Sequence, residues 1–253
     1  MAGMDMKKVF IMKLGSSLAD LRAERGDFDD WIKAPLGNYR DILETIDVRT
    51  GQAMPDSDEI GGIILTGSHA MVTDRHPWSE DLALRLPPIV RKGIPVLGIC
   101  YGHQLLAHAL GGEVADNPRG WEFGTVNISF TDQARVDPLV GELFPAISAH
   151  VCHTQAVLRL PADARRLAYS ERDMNQAFVV GDCAWGIQFH PEFDAAIAQR
   201  YIQQCSQLLS REGQDPDALL ARCVDTGSGA GILEKFMEIV RRKQEENWRG
   251  NRQ

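Results

Sequence analysis

At 253 residues, with 44% hydrophobic and 25% charged side chains, the chain is long enough to bury a large core and has the composition of an ordinary globular protein. Its net charge of -8, with no basic block beyond "RRK" at 241–243, offers a phosphate backbone no general attraction and argues against a nucleic-acid partner. The apolar run at residues 9–12 is far too short for a secretory h-region or a membrane span, so no membrane association and a cytoplasmic location are expected.

Taken in chain order, "KKVFIMKLG" (7–15), "GGIILTG" (61–67) and "PVLGIC" (95–100) are short, rich in β-branched residues and bounded by Gly or Pro. Continuous apolar runs of this kind predict parallel strands buried on both faces. Between the last two lies "SEDLALRLPPIVRKG" (79–93), where Leu82, Leu86, Ile89 and Val90 keep helical spacing and Gly93 is a stop signal. Its Pro87-Pro88 pair predicts a kink or break. Strand, helix, strand is the βαβ unit, and it predicts a doubly wound α/β fold around a mostly parallel central sheet.

Beyond "ALGG" the segments 124–130, 156–160, 166–170, 177–180 and 185–190 are short and alternating, which predicts a small antiparallel or mixed extension of the sheet. A helical period resumes in "DAAIAQRYIQQCSQLLS" (194–210). Residues 213–253 have a different texture and are expected to form a C-terminal helical appendage. In it, Ile232, Phe236, Ile239 and Val240 share one helical face after a flexible "TGSGAG". That face either packs on the domain or meets a partner or a second copy as a homodimer.

The five cysteines are odd in number, widely spaced and without a C-x-x-C, so neither a disulfide framework nor a zinc knuckle is expected. Cys152, Cys183, Cys205 and Cys223 read as small buried hydrophobes. Cys100 differs. In "GICYG" it stands between glycines where the buried strand 95–100 meets the helical "HQLLAHAL", at the sheet edge where α/β folds bind ligands. Such a turn needs small neighbours and presents its central side chain outward, while the helix N-terminus favours a thiolate.

A nucleophile needs a base and the base an orienting group. "GIQFHPEF" supplies His190 and Glu192, two residues apart, which an extended strand end would place on one face. With Cys100 they make a candidate Cys-His-acid triad. His103 and His108 lack a carboxylate or second cysteine at ligand spacing and read as structural, so no metal and no cofactor are expected.

These segments resemble the class I, triad-type glutamine amidotransferases: "GICYGHQLLAHALGG" is similar to their nucleophile segment, "GIQFHPE" to their His-Glu segment and "GGIILTGS" to the glycine-bearing loop before the nucleophile strand. The likeness covers about residues 7–211 and is strongest to the amidotransferase domain of GMP synthase. It implies a flavodoxin-like core and a γ-glutamyl thioester formed at Cys100, with His190 moving protons and Glu192 orienting it. Backbone N–H groups of Gly67 and Tyr101 would be the oxyanion hole, with Gln104, Ser68 and His153 touching substrate. Gln104 has an ordinary helix-surface or capping role as its alternative. Trp121 and Glu122 are further candidates for the pocket wall. Where synthetase members often carry His-x-Asp, this chain has His153 and Gln155, which removes a carboxylate associated with a synthetase partner.

The expected activity is hydrolysis of the glutamine side-chain amide to glutamate and ammonia, with a separate synthetase chain as the acceptor, because the sequence holds no P-loop and no G-x-G-x-x-G. A γ-glutamyl peptidase is the rival, since the same thioester chemistry serves any γ-glutamyl amide. The segment "RAERGDFDDWIKAPLG" (22–37), similar to a Gly-Asp-aromatic segment of stand-alone members, would then wall the pocket. A catalytically silent binding module is the third reading, opposed by the intact Cys100, His190 and Glu192.

Overall fold

In the computed structural model, which describes residues 6–227 and 229–250, the strands run in chain order as β1 (Lys8–Lys13), β2 (Leu43–Asp47), β3 (Ile60–Leu65), β4 (Val96–Ile99), β5 (Glu113–Asp116), β6 (Glu122–Phe130), β7 (Ala146–His153), β8 (Gln155–Arg159), β9 (Ala164–Tyr169), β10 (Ala177–Val180) and β11 (Ala184–Ile187). The helices are α1 (Ala19–Arg25), α2 (Phe28–Lys33), α3 (Pro77–Arg91), α4 (Tyr101–Ala109), α5 (Ala195–Gln204), α6 (Ser206–Arg211), α7 (Pro216–Arg222) and α8 (Gly229–Gly250). None of the described helices is long and apolar enough to cross a membrane.

A nine-stranded sheet has the order β2-β1-β3-β4-β11-β10-β9-β6-β7. Its first five strands are parallel, in the 2-1-3-4-5 arrangement of flavodoxin-like folds, and the remaining pairings are antiparallel. The parallel half and its antiparallel extension are therefore as the sequence patterns imply. One segment departs: 156–160 does not join the extension, because β8 leaves the main sheet and pairs with β5 in a separate two-stranded ladder.

The side-chain period of two divides the core. Phe10, Met12, Ile63 and Leu65 face the layer containing Leu82, Leu86 and Ile89 of α3 and Leu105 and Leu106 of α4. Val9, Ile11, Ile64, Leu97, Trp185 and Ile187 face the opposite layer, to which α8 contributes Ile232, Phe236, Met237, Ile239 and Val240. The helical face expected at the C-terminus thus packs on the sheet itself. Residues 223–226 before it have no regular structure, and Ser228 of "TGSGAG" and the terminal 251–253 lie outside the described residues.

Two helix boundaries also differ from expectation. α3 runs unbroken through Pro87 and Pro88. The two missing N–H donors fall in its last two turns, and Lys92 still donates to the carbonyls of Pro88 and Ile89 at 3.1 Å, so the helix ends normally. The segment 194–210 is two helices, α5 and α6, that meet at Cys205.

Candidate active site

Cys100 is the hinge between β4 and α4 and has φ 51° and ψ −103°; Arg75 is the other non-glycine with positive φ among the described residues. A conformation of this kind costs about 1–3 kcal/mol and persists only where its surroundings dictate it. Here the Cys100 N–H donates to the Ile187 carbonyl at 2.9 Å, and the Gly102 N–H to the Thr66 carbonyl at 3.2 Å. A Cβ on Gly98 would stand 2.4 Å from the Gly102 oxygen, and one on Gly102 would stand 2.5 Å from the Leu65 oxygen. Both glycines in "GICYG" are therefore required by backbone contact, across the turn and against β3. The thiol lies 3.8 Å from the Cys152 carbonyl.

Tyr101 opens α4, where backbone N–H groups have no partner within the helix. That end of α4 faces the thiol, a geometry suited to a developing oxyanion. Gly67 follows β3, and a Cβ there would come within 3.1 Å of His190 Cε1, so its missing side chain is what lets the imidazole close on the turn.

His190 is held by its backbone N–H, which donates to the His150 carbonyl at 2.8 Å in an isolated bridge between the two histidines. Nδ1 stands 2.8 Å from Glu192 Oε1, with both side chains almost fully buried. Burial works against charge on this ring, but Glu192 and Cys100 outweigh it and push the pKa up to about 10. The structure therefore brings Cys100, His190 and Glu192 together, as the sequence expected, although by another local route. β11 ends at Ile187, and Pro191 and Glu192 form a turn rather than an extended strand end.

The imidazole is also clamped by rings. Phe193 stacks on it with centroids 3.9 Å apart, Tyr201 stacks on Phe193 at 5.4 Å, and Phe28 lies parallel to both His190 and Phe193 at 6.3 Å. Sequence reasoning did not assign Phe193 or Tyr201. The available signals were the aromatic directly after "HPE" and the helical spacing of Tyr201 from it. The 22–37 segment has a different place from the one expected: Phe28 packs behind His190, and no residue of the segment lines the cavity beside Cys100. Lys13 at the end of β1 holds it there through Asp27 at 2.9 Å and Asp29 at 2.8 Å.

That cavity, of about 300 Å³, is lined by Cys100, Tyr101, Gln104, Ser68 and His153 among others. Gln104 is not a helix-surface residue; it is buried, and its amide donates to the Gln155 carbonyl and to Gln188 Oε1, each at 2.9 Å. Ser68 Oγ accepts from the Ala70 N–H at 3.1 Å. The ring nitrogens of His153 face two acceptors, the Gln155 carbonyl at 2.9 Å and Glu122 Oε2 at 3.1 Å, so both must carry hydrogen and the ring is a cation. Burial opposes that charge, and Glu122 and Asp173, with Cys100, together more than offset it, raising the pKa. Trp121 also lines the cavity, whereas Glu122 lies behind His153. Gln155 donates to Thr73 at 2.7 Å and to Asp116 at 3.0 Å.

Among the other cysteines, Cys183 and Cys223 are buried, but Cys152 and Cys205 are only partly so and line the cavity with Cys100, contrary to expectation. Cys152 sits directly opposite Phe123 in the β6–β7 ladder, which turns its side chain to the site. Burial raises its thiol well above the ordinary range, away from reactivity. His103 is packed on Phe178 with its ring centroid 5.0 Å away, and burial pushes it down to about 3. His108 meets Arg75 and Glu80 near the surface. No group of three or more His, Cys, Asp or Glu that could hold a metal ion occurs among the described residues. A larger groove of about 690 Å³ along β6 and α7 contains neither Cys100 nor His190.

Comparison with known proteins shows what the chain as a whole is similar to. The family model for glutamine amidotransferase class-I matches residues 39–206. A GMP synthase [glutamine-hydrolyzing] of Aeropyrum pernix is 33% identical over 75% of this chain, which spans only 33% of that protein's length. Gamma-glutamyl peptidase 4 of Arabidopsis thaliana is 36% identical over 68% of this chain and 70% of its own. The crystal structure of a glutamine amidotransferase from Thermotoga maritima superposes with a TM-score of 0.71 over 93% of this chain and 99% of that one, at 24% identity, a likeness of fold.

Proposed function

This chain belongs to the class I glutamine amidotransferases, and from that premise we propose that it hydrolyses a γ-glutamyl amide through a thioester on Cys100. The Cys100 thiol passes its proton to His190 as the sulfur attacks the γ-carbonyl carbon, and the resulting oxyanion is held by the N–H groups of Tyr101 and Gly67. As the C–N bond breaks, His190 gives its proton to the leaving amine. Water then attacks the thioester, His190 takes its proton, and glutamate leaves as the thiol is restored. Glu192 keeps the imidazole oriented and stabilises its cation throughout. The observation that carries this reading is the forced backbone of Cys100 beside a buried His190–Glu192 pair.

Glutamine is the smallest substrate of this kind, and its ammonia would pass to a separate synthetase chain; the similarity to one third of a longer GMP synthase supports ammonia as the product handed on. A second reading, a γ-glutamyl peptidase or hydrolase acting on larger γ-glutamyl amides, is favoured by the size of the cavity beside Cys100 and by the likeness to a gamma-glutamyl peptidase. Treatment of the purified chain with an electrophilic glutamine analogue, 6-diazo-5-oxonorleucine, tests the shared chemistry. The expected result is a single covalent adduct on Cys100 that is absent from Cys100→Ser. A folded protein that takes up no adduct would instead support the catalytically silent reading.

A further inference from the structure

The cavity beside Cys100 is divided by chemistry. Its polar groups are Gln104, His153, Thr154 and Gln155, from α4 and the β7–β8 region, and Ser68 and His69 from the loop after β3, where the His69 ring is engaged by the Tyr201 hydroxyl at 3.0 Å. Its other side is apolar and comes from different elements. Tyr201, Cys205 and Leu208 recur at helical spacing along α5 and α6, and Leu18 and Trp121 stand beside them. Trp121 is tied to the connection between α6 and α7 because its carbonyl accepts from Gln214 at 2.9 Å. Leu208 is 45% exposed at this opening, and Leu18 and Trp121 pack on the core with one side and remain only partly buried, so part of the apolar surface faces the cavity. No Asp, Glu, Lys or Arg lines the cavity.

The two sides differ in their relation to the proton donor. Tyr201 stacks on Phe193, and Phe193 stacks on His190, so a run of stacked rings joins the apolar stripe to the ring that must protonate the departing nitrogen. The amine half of a substrate leaves toward that ring. The polar side, with its imidazolium at His153, is left for the γ-glutamyl half, whose carboxylate and amino group need hydrogen-bonding partners.

We propose that Tyr201, Cys205, Leu208, Leu18 and Trp121 form a subsite for the amine half of the substrate, and that this amine has an uncharged apolar or aromatic body. This rests on the γ-glutamyl thioester reading above and narrows it. An amino acid or peptide leaving group would bring a carboxylate into a subsite with no cation to receive it, at a large desolvation cost. Ammonia would leave the subsite unfilled. An alkyl or aryl amine buries its body against the stripe in the transition state and gains rate from it.

The test measures amine release by the full chain from glutamine, γ-glutamylglycine and γ-glutamylbenzylamine, which share one acyl half. The expected kcat/KM for the benzylamine compound exceeds that of each of the others by about 10-fold or more, the scale on which apolar pockets discriminate. Leu208→Asp, at a half-exposed position that tolerates charge without unfolding, is expected to lower the ratio of benzylamine to glutamine cleavage about 10-fold. Equal or better cleavage of glutamine, or a ratio unchanged in Leu208→Asp, overturns the subsite and leaves the thioester chemistry standing. Cleavage of none of the three, with no acyl adduct on Cys100, overturns both.

Discussion

Glu122 and His153 sit directly opposite each other in the β6–β7 ladder and form a second buried carboxylate–imidazole pair, 3.1 Å apart, in the wall of the cavity that holds Cys100. Glu122 is saturated there: it also accepts from Ser170 Oγ at 2.7 Å and from Gln176 Nε2 at 2.6 Å. A carboxylate so fully bonded fixes both the charge and the orientation of His153.

Glu122→Gln is therefore expected to destabilise the fold by about 3–5 kcal/mol at pH 6, the cost of leaving one buried charge unpaired. The folded pKa of His153 is raised above the ordinary 6.5, so the pair's contribution is fully present below 6.5 and fades as pH climbs through the folded value. The penalty should accordingly shrink at alkaline pH. Urea unfolding of both proteins at pH 6 and pH 9 reads this; a penalty that does not change with pH would mean that His153 carries no proton-linked stability.

The His190–Glu192 pair makes a kinetic prediction. With the imidazole pKa pushed up to about 10, the alkaline limb of the kcat/KM profile, where the ring loses its proton, should lie high. Glu192→Gln removes a carboxylate that raises it, so the limb moves toward neutral pH and kcat/KM falls by about 100-fold or more. A pH–rate profile of the two proteins checks the direction. An unmoved alkaline limb would assign that ionisation to another group.

Backbone strain at Cys100 separates two inactive variants. Cys100→Gly and Cys100→Ala both lose the thiol, but only glycine relaxes a backbone at φ 51°, ψ −103°. The glycine variant should be the more stable by about 1 kcal/mol, after its greater unfolded-state entropy is subtracted. Thermal melting of the pair decides it; an alanine variant that is equally stable would mean that the turn relaxes once the sulfur is gone.

Phe236 of α8 is fully buried and meets Trp185 of β11 edge-on, with ring centroids 6.5 Å apart. Phe236→Ala should cost about 3–5 kcal/mol by opening a cavity under the central sheet. Denaturant unfolding measures the loss. A cost below about 1 kcal/mol would show that the long C-terminal helix contributes little to the core.

Much of this was legible in local pattern. Apolar runs bounded by Gly and Pro mark β1, β3 and β4 because a strand buried on both faces has no polar side to alternate with. The helical face of Ile232, Phe236, Ile239 and Val240 was equally plain. What escaped were pairings and neighbours: β5 and β8 separate from the main sheet, and β2 and β7 have no turn chemistry strong enough to announce them. Pro87 and Pro88 misled, since α3 continues through both to Arg91 and the pair falls in its last two turns rather than at its centre.

The sequence by itself determined that Cys100 occupies a glycine-flanked strand–helix turn, and that one histidine and one glutamate lie two residues apart in "HPE". Both are properties of neighbouring residues, and local sterics decide them. Only the tertiary structure decided that Phe28 from the N-terminal segment clamps His190 rather than walling the cavity. It alone placed Cys152 and Cys205 beside Cys100, and an apolar stripe from α5 and α6 opposite the polar groups of β7 and β8. Those relations join positions far apart in the chain, and they exist only where burial and sheet register bring distant elements to one edge.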